Sequence, residues 1–241
     1  MPAPKYSFAD EEQLILDATV KSILDSSLID FKMSEIAKNA GISMGSVYKH
    51  IQSKEDVLVA LAVQMTHQTL TVISDILKLP YSLSSKIVAL NLASEESMYI
   101  YPFGYRLFTM LNSLNLLNKA SQGWVDKLAT VSLQIHDCFE NELSNAIEQG
   151  ELILGSDNKD SLIEEFMLTH WTLSVGFPLV VSHSCNPNLA KETCNLSKPI
   201  SLDHPLLKGT MRITNSYPWK NPASINELIE IEKNLISLGY R

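Results

Sequence analysis

A glycine set between two short apolar-faced runs dictates what residues 31–59, FKMSEIAKNAGISMGSVYKHIQSKEDVLV, can become. Ile36, Ala37 and Ala40 recur at one-and-four spacing, which puts them on one face of a short helix. Gly41 follows at once, and a residue without a side chain suits a left-handed helix end. Ile42 tucks under the turn, and Ser43 is placed to cap a second helix by accepting a bond from a free backbone N–H. Val47 and Ile51, four apart, give that second helix one apolar face. Met44, Gly45, Ser46, Tyr48, Lys49 and His50 fall mostly on the other side. Ser53 opens a third helix with Asp56 three residues on, close to a capping box. Two short helices joined by a tight turn, the second turning polar groups outward, have the plan of a helix-turn-helix that inserts into a major groove.

On these residues the segment resembles the tetracycline-repressor (TetR) family of regulators. The stretch AGISMGSVYKHIQSKEDVLVAL looks like that family's recognition-helix signature, and residues 15–37 resemble its first helix and the start of its second. The resemblance spans residues 8–62. Ala18, Ile36, Ala37, Ala40, Gly41, Ile42, Ser43, Gly45, Tyr48, Ser53, Lys54, Glu55 and Leu58 all fall in step. Ser27 stands where the family usually has a glycine, and Lys32 where it usually has a capping threonine or serine. A lysine reaches phosphate but cannot cap. The resemblance implies DNA contacts from Lys32, Ser34, Ser43, Met44 and Gly45, and from Ser46, Tyr48, Lys49, His50 and Lys54. It implies an all-α fold: a three-helix reader over residues 1–56, then a larger helical effector-binding and dimerisation domain over 57–241. The implied partners are a pseudo-palindromic double-stranded operator, a second copy of the chain, and an unidentified apolar or aromatic small-molecule effector. Repressors are the commoner members, and no cofactor is expected.

Charge runs against the usual picture of a nucleic-acid binder. The chain carries a net charge of -8, and residues 1–56 hold six lysines against nine carboxylates. Affinity depends on the local face and not the sum. Lys32, Lys49 and Lys54 are placed to cluster, while Asp10, Glu11, Glu12 and Asp17 lie on the first helix. The recognition helix has no arginine, so the strongest guanine reader is missing. Few phosphate contacts per subunit and a dependence on the dimer are expected. The acidic balance also leaves room for a helical interaction protein whose reader no longer binds DNA. An enzyme would need a catalytic cluster, and none is apparent.

Three cysteines, Cys138, Cys185 and Cys194, are too few and odd in number for a disulfide framework, and point to a reducing cytoplasm. The start MPAPKYSFADEE lacks the apolar core of a signal peptide. The longest apolar run, near Val175 to Val181, is far shorter than the roughly 18 residues of a membrane span.

Beyond the reader the periodicity predicts helices over 54–78, 82–101, 103–118, 120–149, 159–183 and 223–238. Residues 184–222, rich in Pro, Asn, Ser and Lys, read as a long loop with room for short helices that periodicity does not place. The helix over 159–183 is apolar nearly all round and must be buried on several sides. With the family's dimer in view, the interface is expected on Phe166, Leu173 and Phe177 and on Leu228, Ile231 and Leu235, the competing reading of the 159–183 helix being the core of a single chain. Aromatic residues crowd 98–110, and an effector pocket is expected from Tyr99, Phe103, Tyr105 and Phe108. Trp124, Phe139, Phe166, His170 and Trp171 are expected to face them. Ordinary core packing is the competing reading for each of these.

Two further patterns carry less. Gly41-Ile-Ser43-Met-Gly45 matches G-x-S-x-G, but a nucleophile elbow needs a strand before it, and here a helix precedes. His183, Cys185, Cys194 and His204 are zinc-type ligands without the close Cys pair of a structural site, so no metal is assigned.

Overall fold

The computed structural model describes residues 6–111, 114–156, 158–183 and 199–241. Among these the secondary structure is helical, apart from one isolated bridge between Leu152 and Trp219. In chain order the helices are α1 (Phe8–Asp25), α2 (Met33–Ala40), α3 (Met44–His50), α4 (Lys54–Leu77) and α5 (Leu83–Ala89). After a single 3-10 turn, Leu90–Leu92, come α6 (Glu95–Met98), α7 (Gly104–Leu111), α8 (Leu114–Leu117) and α9 (Gln122–Glu148). The last three are α10 (Lys159–His183), α11 (Pro205–Thr214) and α12 (Ile225–Ser237).

The chain forms two compact units, each made of separated segments. The first takes Met1–His67 and Tyr99–Ser132, and the second Gln68–Met98 and Leu133–Arg241. The expected boundary at residue 56 therefore falls inside the first unit, where Asp56 is a buried part of the packing. α4 and α9 each contribute residues to both units.

The first unit closes over Ile15, Leu16, Phe31, Ile36, Val47 and Ile51, with Leu61 from α4 and Leu107 from α7. Asp56 organises its polar joints. One carboxylate oxygen accepts the Gln52 N–H at 2.9 Å, and the other accepts the Ser121 N–H at 2.6 Å, just ahead of α9. Ser53 returns the capping bond, its hydroxyl accepting the Asp56 N–H at 3.0 Å. α4 is long and apolar enough to cross a membrane by length and composition alone. Its Val57, Leu58, Leu61 and Met65 are instead buried in the first core, and Val72, Ile73 and Ile76 in the cores of the second unit.

The second unit has two cores. One gathers Leu143, Leu152, Phe166 and Trp219, and the other Val72, Ile76, Leu92, Leu228, Ile231 and Leu235. Every residue of α5 is buried. Its free N-terminal N–H groups are answered by carboxylates, Leu83 N–H donating to Glu151 at 2.6 Å and Ser82 N–H to Glu227 at 3.3 Å. The stretch read as a loop over 184–222 holds α11 and a buried Trp219, whose indole N–H donates to the Thr214 carbonyl at 2.8 Å. Residues 184–198, including Cys185 and Cys194, lie outside the described residues.

The dimer expectation needs correction. Phe166, Leu228, Ile231 and Leu235 are core residues of one chain, at most 2% exposed, and have no surface to offer a partner. Leu173 and Phe177 are half-buried, and Phe177 meets the His204 ring edge-on at 5.6 Å. Large apolar side chains at the surface of the second unit include Leu168 and Trp171 on α10 and Ile225, Ile229 and Ile236 on α12, alongside Leu133, Ile153, Val180 and Leu238. Ile225, Ile229 and Ile236 follow four-and-seven spacing, so they form a single line along α12.

Candidate nucleic-acid interface

α2 begins after Lys32, which makes no side-chain cap bond, in keeping with a side chain that only donates. Ser34 is exposed on its first turn. α2 ends at Gly41 in the left-handed conformation, φ +66°, with its N–H donating to the carbonyls of Ala37 and Lys38. The Ile42 N–H also returns to the Ala37 carbonyl, at 3.1 Å. Ser43 then caps α3, its hydroxyl accepting the Ser46 N–H at 3.0 Å. This is the turn expected from the glycine and serine, and the hydroxyl is engaged as a cap.

α3 divides into two faces. Val47 and the following Ile51 are fully buried. Ser43, Gly45, Tyr48 and Lys49 are exposed, and Ser46 is half-exposed. Met44 is half-buried and packs against the core. Tyr48, on the face opposite the packed Val47, keeps 48% of its surface in solvent. An added Cβ at Gly45 would meet Ser43 Oγ at 3.6 Å, an ordinary contact. The fold therefore has room for a side chain at Gly45.

Two expected DNA contacts are engaged within the first unit, His50 buried and Lys54 at its surface. The His50 side chain is fully buried: its ring lies 4.0 Å from the Phe8 ring, and Nε2 sits 3.0 Å from a Glu11 carboxylate oxygen. Its position on the helix, three residues from Val47, puts it on the packed side. Lys54 donates from Nζ to the Ile29 carbonyl at 2.8 Å, and the same charge lies 4.6 Å from the centre of the Phe31 ring. It ties down the link between α1 and α2. Ser27 replaces the family glycine without strain, because its hydroxyl accepts the Ile29 and Asp30 N–H groups at 3.2 and 3.0 Å.

Glu11 was not singled out by sequence, since its partners lie more than 30 positions away. The His50 ring bonds its carboxyl at 3.0 Å, and the nearby Ser46 hydroxyl and Lys49 charge also favour the ionised form. The His50 bond chiefly holds the Glu11 carboxyl below the usual carboxylate range, against a smaller opposing effect of burial. Trp124 is a second residue with a role in this region, its indole N–H donating to the His50 carbonyl at 3.3 Å. With Asp56 and Ser121 it fastens the start of α9 to the end of α3.

The expected pocket residues separate into two clusters. Tyr99, Phe103, Tyr105, Phe108 and Trp124 belong to the first unit, where Tyr99 and Phe108 stand 5.9 Å apart, and the buried Tyr105 hydroxyl has no hydrogen-bond partner among the described residues. Phe139, Phe166 and His170 belong to the second. Trp171 is 66% exposed and lines no core. Phe103 borders a cleft of about 150 Å³ with Ile23, Leu28 and Arg106. An open groove of about 410 Å³ runs along Leu162, Glu165, Thr169 and Tyr217. His170 is a fastener: Nδ1 meets the Phe166 carbonyl at 2.8 Å and Nε2 meets the Thr214 hydroxyl at 2.9 Å. Burial lowers its pKa below the ordinary histidine value, only partly offset by the Phe166 carbonyl. His204, one of the four zinc-type residues, caps α11 by accepting the Leu206 N–H at 3.2 Å.

A glycine-ended α2 and a serine-capped α3 with a polar outward face define a helix-turn-helix protein. Residues 15–61 match the bacterial regulatory proteins, tetR family, and this segment is a domain of that kind. The chain is 26% identical over 143 residues to the fatty acid metabolism regulator protein of Bacillus subtilis (strain 168), covering 59% of this chain and 71% of that protein. Its fold is similar to that of the transcriptional regulator FadR from Bacillus subtilis in complex with stearoyl-CoA, at TM-score 0.52 and 18% identity over 82% of this chain and 96% of the other. It is also similar to a putative TetR-family transcriptional regulator from Rhodococcus sp., at TM-score 0.56 and 13% identity over 87% and 99% of the two chains. These relatives are regulators and not enzymes.

Proposed function

We propose that this chain is a homodimeric transcriptional regulator, a repressor, whose α3 reads the major groove and whose helical second part answers to an acyl-chain effector. The carrying observation is the outward face of α3. Gly45, Ser46, Tyr48 and Lys49 are presented to solvent on a helix whose other face is locked into the core. Tyr48 and Lys49 would take phosphates, Ser46 a phosphate or base edge, and Gly45 would let the backbone approach the duplex closely. Ser43 spends its hydroxyl on the cap, and Met44 only partly reaches the groove. Lys32 and Ser34 stand at the start of α2, which in such motifs crosses the backbone. His50 and Lys54 serve by holding α3 and its flanking turn in place.

The dimer face is proposed on Leu168 and Trp171 of α10 and on the Ile225, Ile229 and Ile236 line of α12, apolar surface that a lone chain leaves wet. Likeness to the Bacillus subtilis fatty acid regulator supports a long apolar effector. α9 supports a route for its signal, because its first turn is fastened to α3 and it continues into the second unit. An effector would then favour one placement of the readers over another, a population shift.

The test is a gel shift with genomic fragments, comparing the protein with its Tyr48→Ala variant and adding acyl-CoAs of graded chain length. Retardation that Tyr48→Ala abolishes and a long-chain acyl-CoA reverses is expected. Retardation that Tyr48→Ala leaves intact would overturn the docking. Retardation indifferent to every chain length would overturn the effector.

A further inference from the structure

Glu11 places a carboxylate charge beside the helix proposed to read DNA. It lies on α1, yet a carboxylate oxygen meets α3 at His50 Nε2, 3.0 Å away, next to Lys49 in the chain and one turn on from Ser46, both of which favour its ionised form. Ser46 and Lys49 are two of the side chains proposed above for DNA. A carboxylate bonded by a ring N–H beside a lysine offers the chemistry of a backbone phosphate, a negative oxygen taking charge-assisted bonds. The Glu11 side chain keeps 23% of its surface exposed, so its charge is felt at the face of α3. Phe8 covers the His50 ring from outside and keeps the pair from swinging away. The adjacent Glu12 points elsewhere and pairs with Lys127 at 3.9 Å.

We propose that Glu11 is a specificity-determining residue: an internal stand-in for phosphate that positions α3 through His50 and weakens attraction to DNA of arbitrary sequence. The inference rests on the reading of α3 as the DNA helix. Non-specific binding is almost wholly electrostatic, so a fixed negative charge beside Lys49 removes affinity from every sequence alike. Base contacts made by a correctly placed α3 are untouched, and the ratio of specific to non-specific binding rises. A reader with few cations and no arginine gains discrimination in this way at the cost of overall strength.

The experiment titrates a fluorescent 30-base-pair duplex of random sequence with the full chain and with Glu11→Gln and Glu12→Gln, by anisotropy, from about 50 to 200 mM KCl. Glutamine keeps an oxygen for His50 and removes the charge, and thermal melts confirm that each variant folds. Glu11→Gln is expected to bind the random duplex roughly three- to tenfold more tightly at 0.1 M salt. Its log–log salt slope should steepen by about one, and Glu12→Gln should follow the parent chain. Equal affinity and slope for Glu11→Gln and the parent would overturn the proposal, as would an equal gain from Glu12→Gln, which would make the effect one of net charge. Should Glu11→Gln unfold, Glu11→Asp, which keeps the charge but shortens the reach to His50, is expected to bind the random duplex as the parent does; a gain as large as that expected of a charge-removing change would overturn the proposal. No measurable binding by any of the chains would overturn the DNA reading itself, and this proposal with it.

Discussion

Gly45→Ala separates what the fold needs from what DNA needs. The new Cβ would stand 3.6 Å from Ser43 Oγ, an ordinary van der Waals distance, on a residue that is already exposed and helical. No atom has to move, and alanine is the better helix former by about 0.8–1 kcal/mol in a helix interior. Gly45 is the second residue of α3, where the gain is smaller, so the melting temperature should hold or rise by a degree or two. Binding should go the other way. If the α3 backbone lies against a phosphate, a methyl group there pushes it off by more than a hydrogen bond tolerates. Losing one charge-assisted bond of about 1.5–3 kcal/mol weakens binding by roughly 10- to 150-fold. A thermal melt and an anisotropy titration with a bound genomic fragment measure both quantities on one preparation. A variant that melts no lower than the parent and binds DNA equally well would refute the close approach of α3 to the duplex.

Other expectations follow from the same geometry. Asp56→Ala strips two backbone N–H groups of a buried acceptor and should cost about 3 kcal/mol, read by urea unfolding, with Asp56→Asn costing clearly less. Leu228→Ala should cost about 2–5 kcal/mol as a core cavity without changing the oligomer. Leu168→Glu should leave unfolding nearly unchanged and yield monomer in sedimentation, and a dimer that survives it would remove α10 from the interface. His170 is half-buried, and desolvation lowers its pKa from the ordinary 6.5. Below pH 6.5 the unfolded chain takes up a proton that the folded site resists, so stability present above that pH should fall as pH is lowered. In His170→Gln this pH dependence should be flatter.

The legible part of the molecule was its local part. Gly41 and Ser43 act on backbone atoms within a few positions, so residue type and spacing sufficed to place both helices of the reader. The Ser53–Asp56 cap was readable for the same reason. His50 was not, because periodicity left it on the margin of α3, and its partner Glu11 is 39 residues away. α12 shows the same limit. Ile225, Leu228, Ile229, Ile231, Leu235 and Ile236 mark an apolar helix. Which of its two apolar lines packs on α5 depends on tertiary neighbours, and the structure turns Leu228, Ile231 and Leu235 inward. α11 was hidden by its glycine, threonines and flanking prolines, and its His204 cap is a residue seldom used that way. The aromatic residues of 98–110 and those of α10 were read as facing one pocket, and the structure gives them to different cores.

The central claim is that the outward face of α3 reads double-stranded DNA in a two-fold arrangement. Its most direct measurement is sequencing of genomic fragments retained by the purified protein, with Tyr48→Ala run in parallel. An enriched inverted repeat is expected, with half-sites about one helical turn apart or somewhat more, and its enrichment should disappear in the variant. Retained fragments without a shared repeat, or the same repeat recovered by Tyr48→Ala, would contradict the claim.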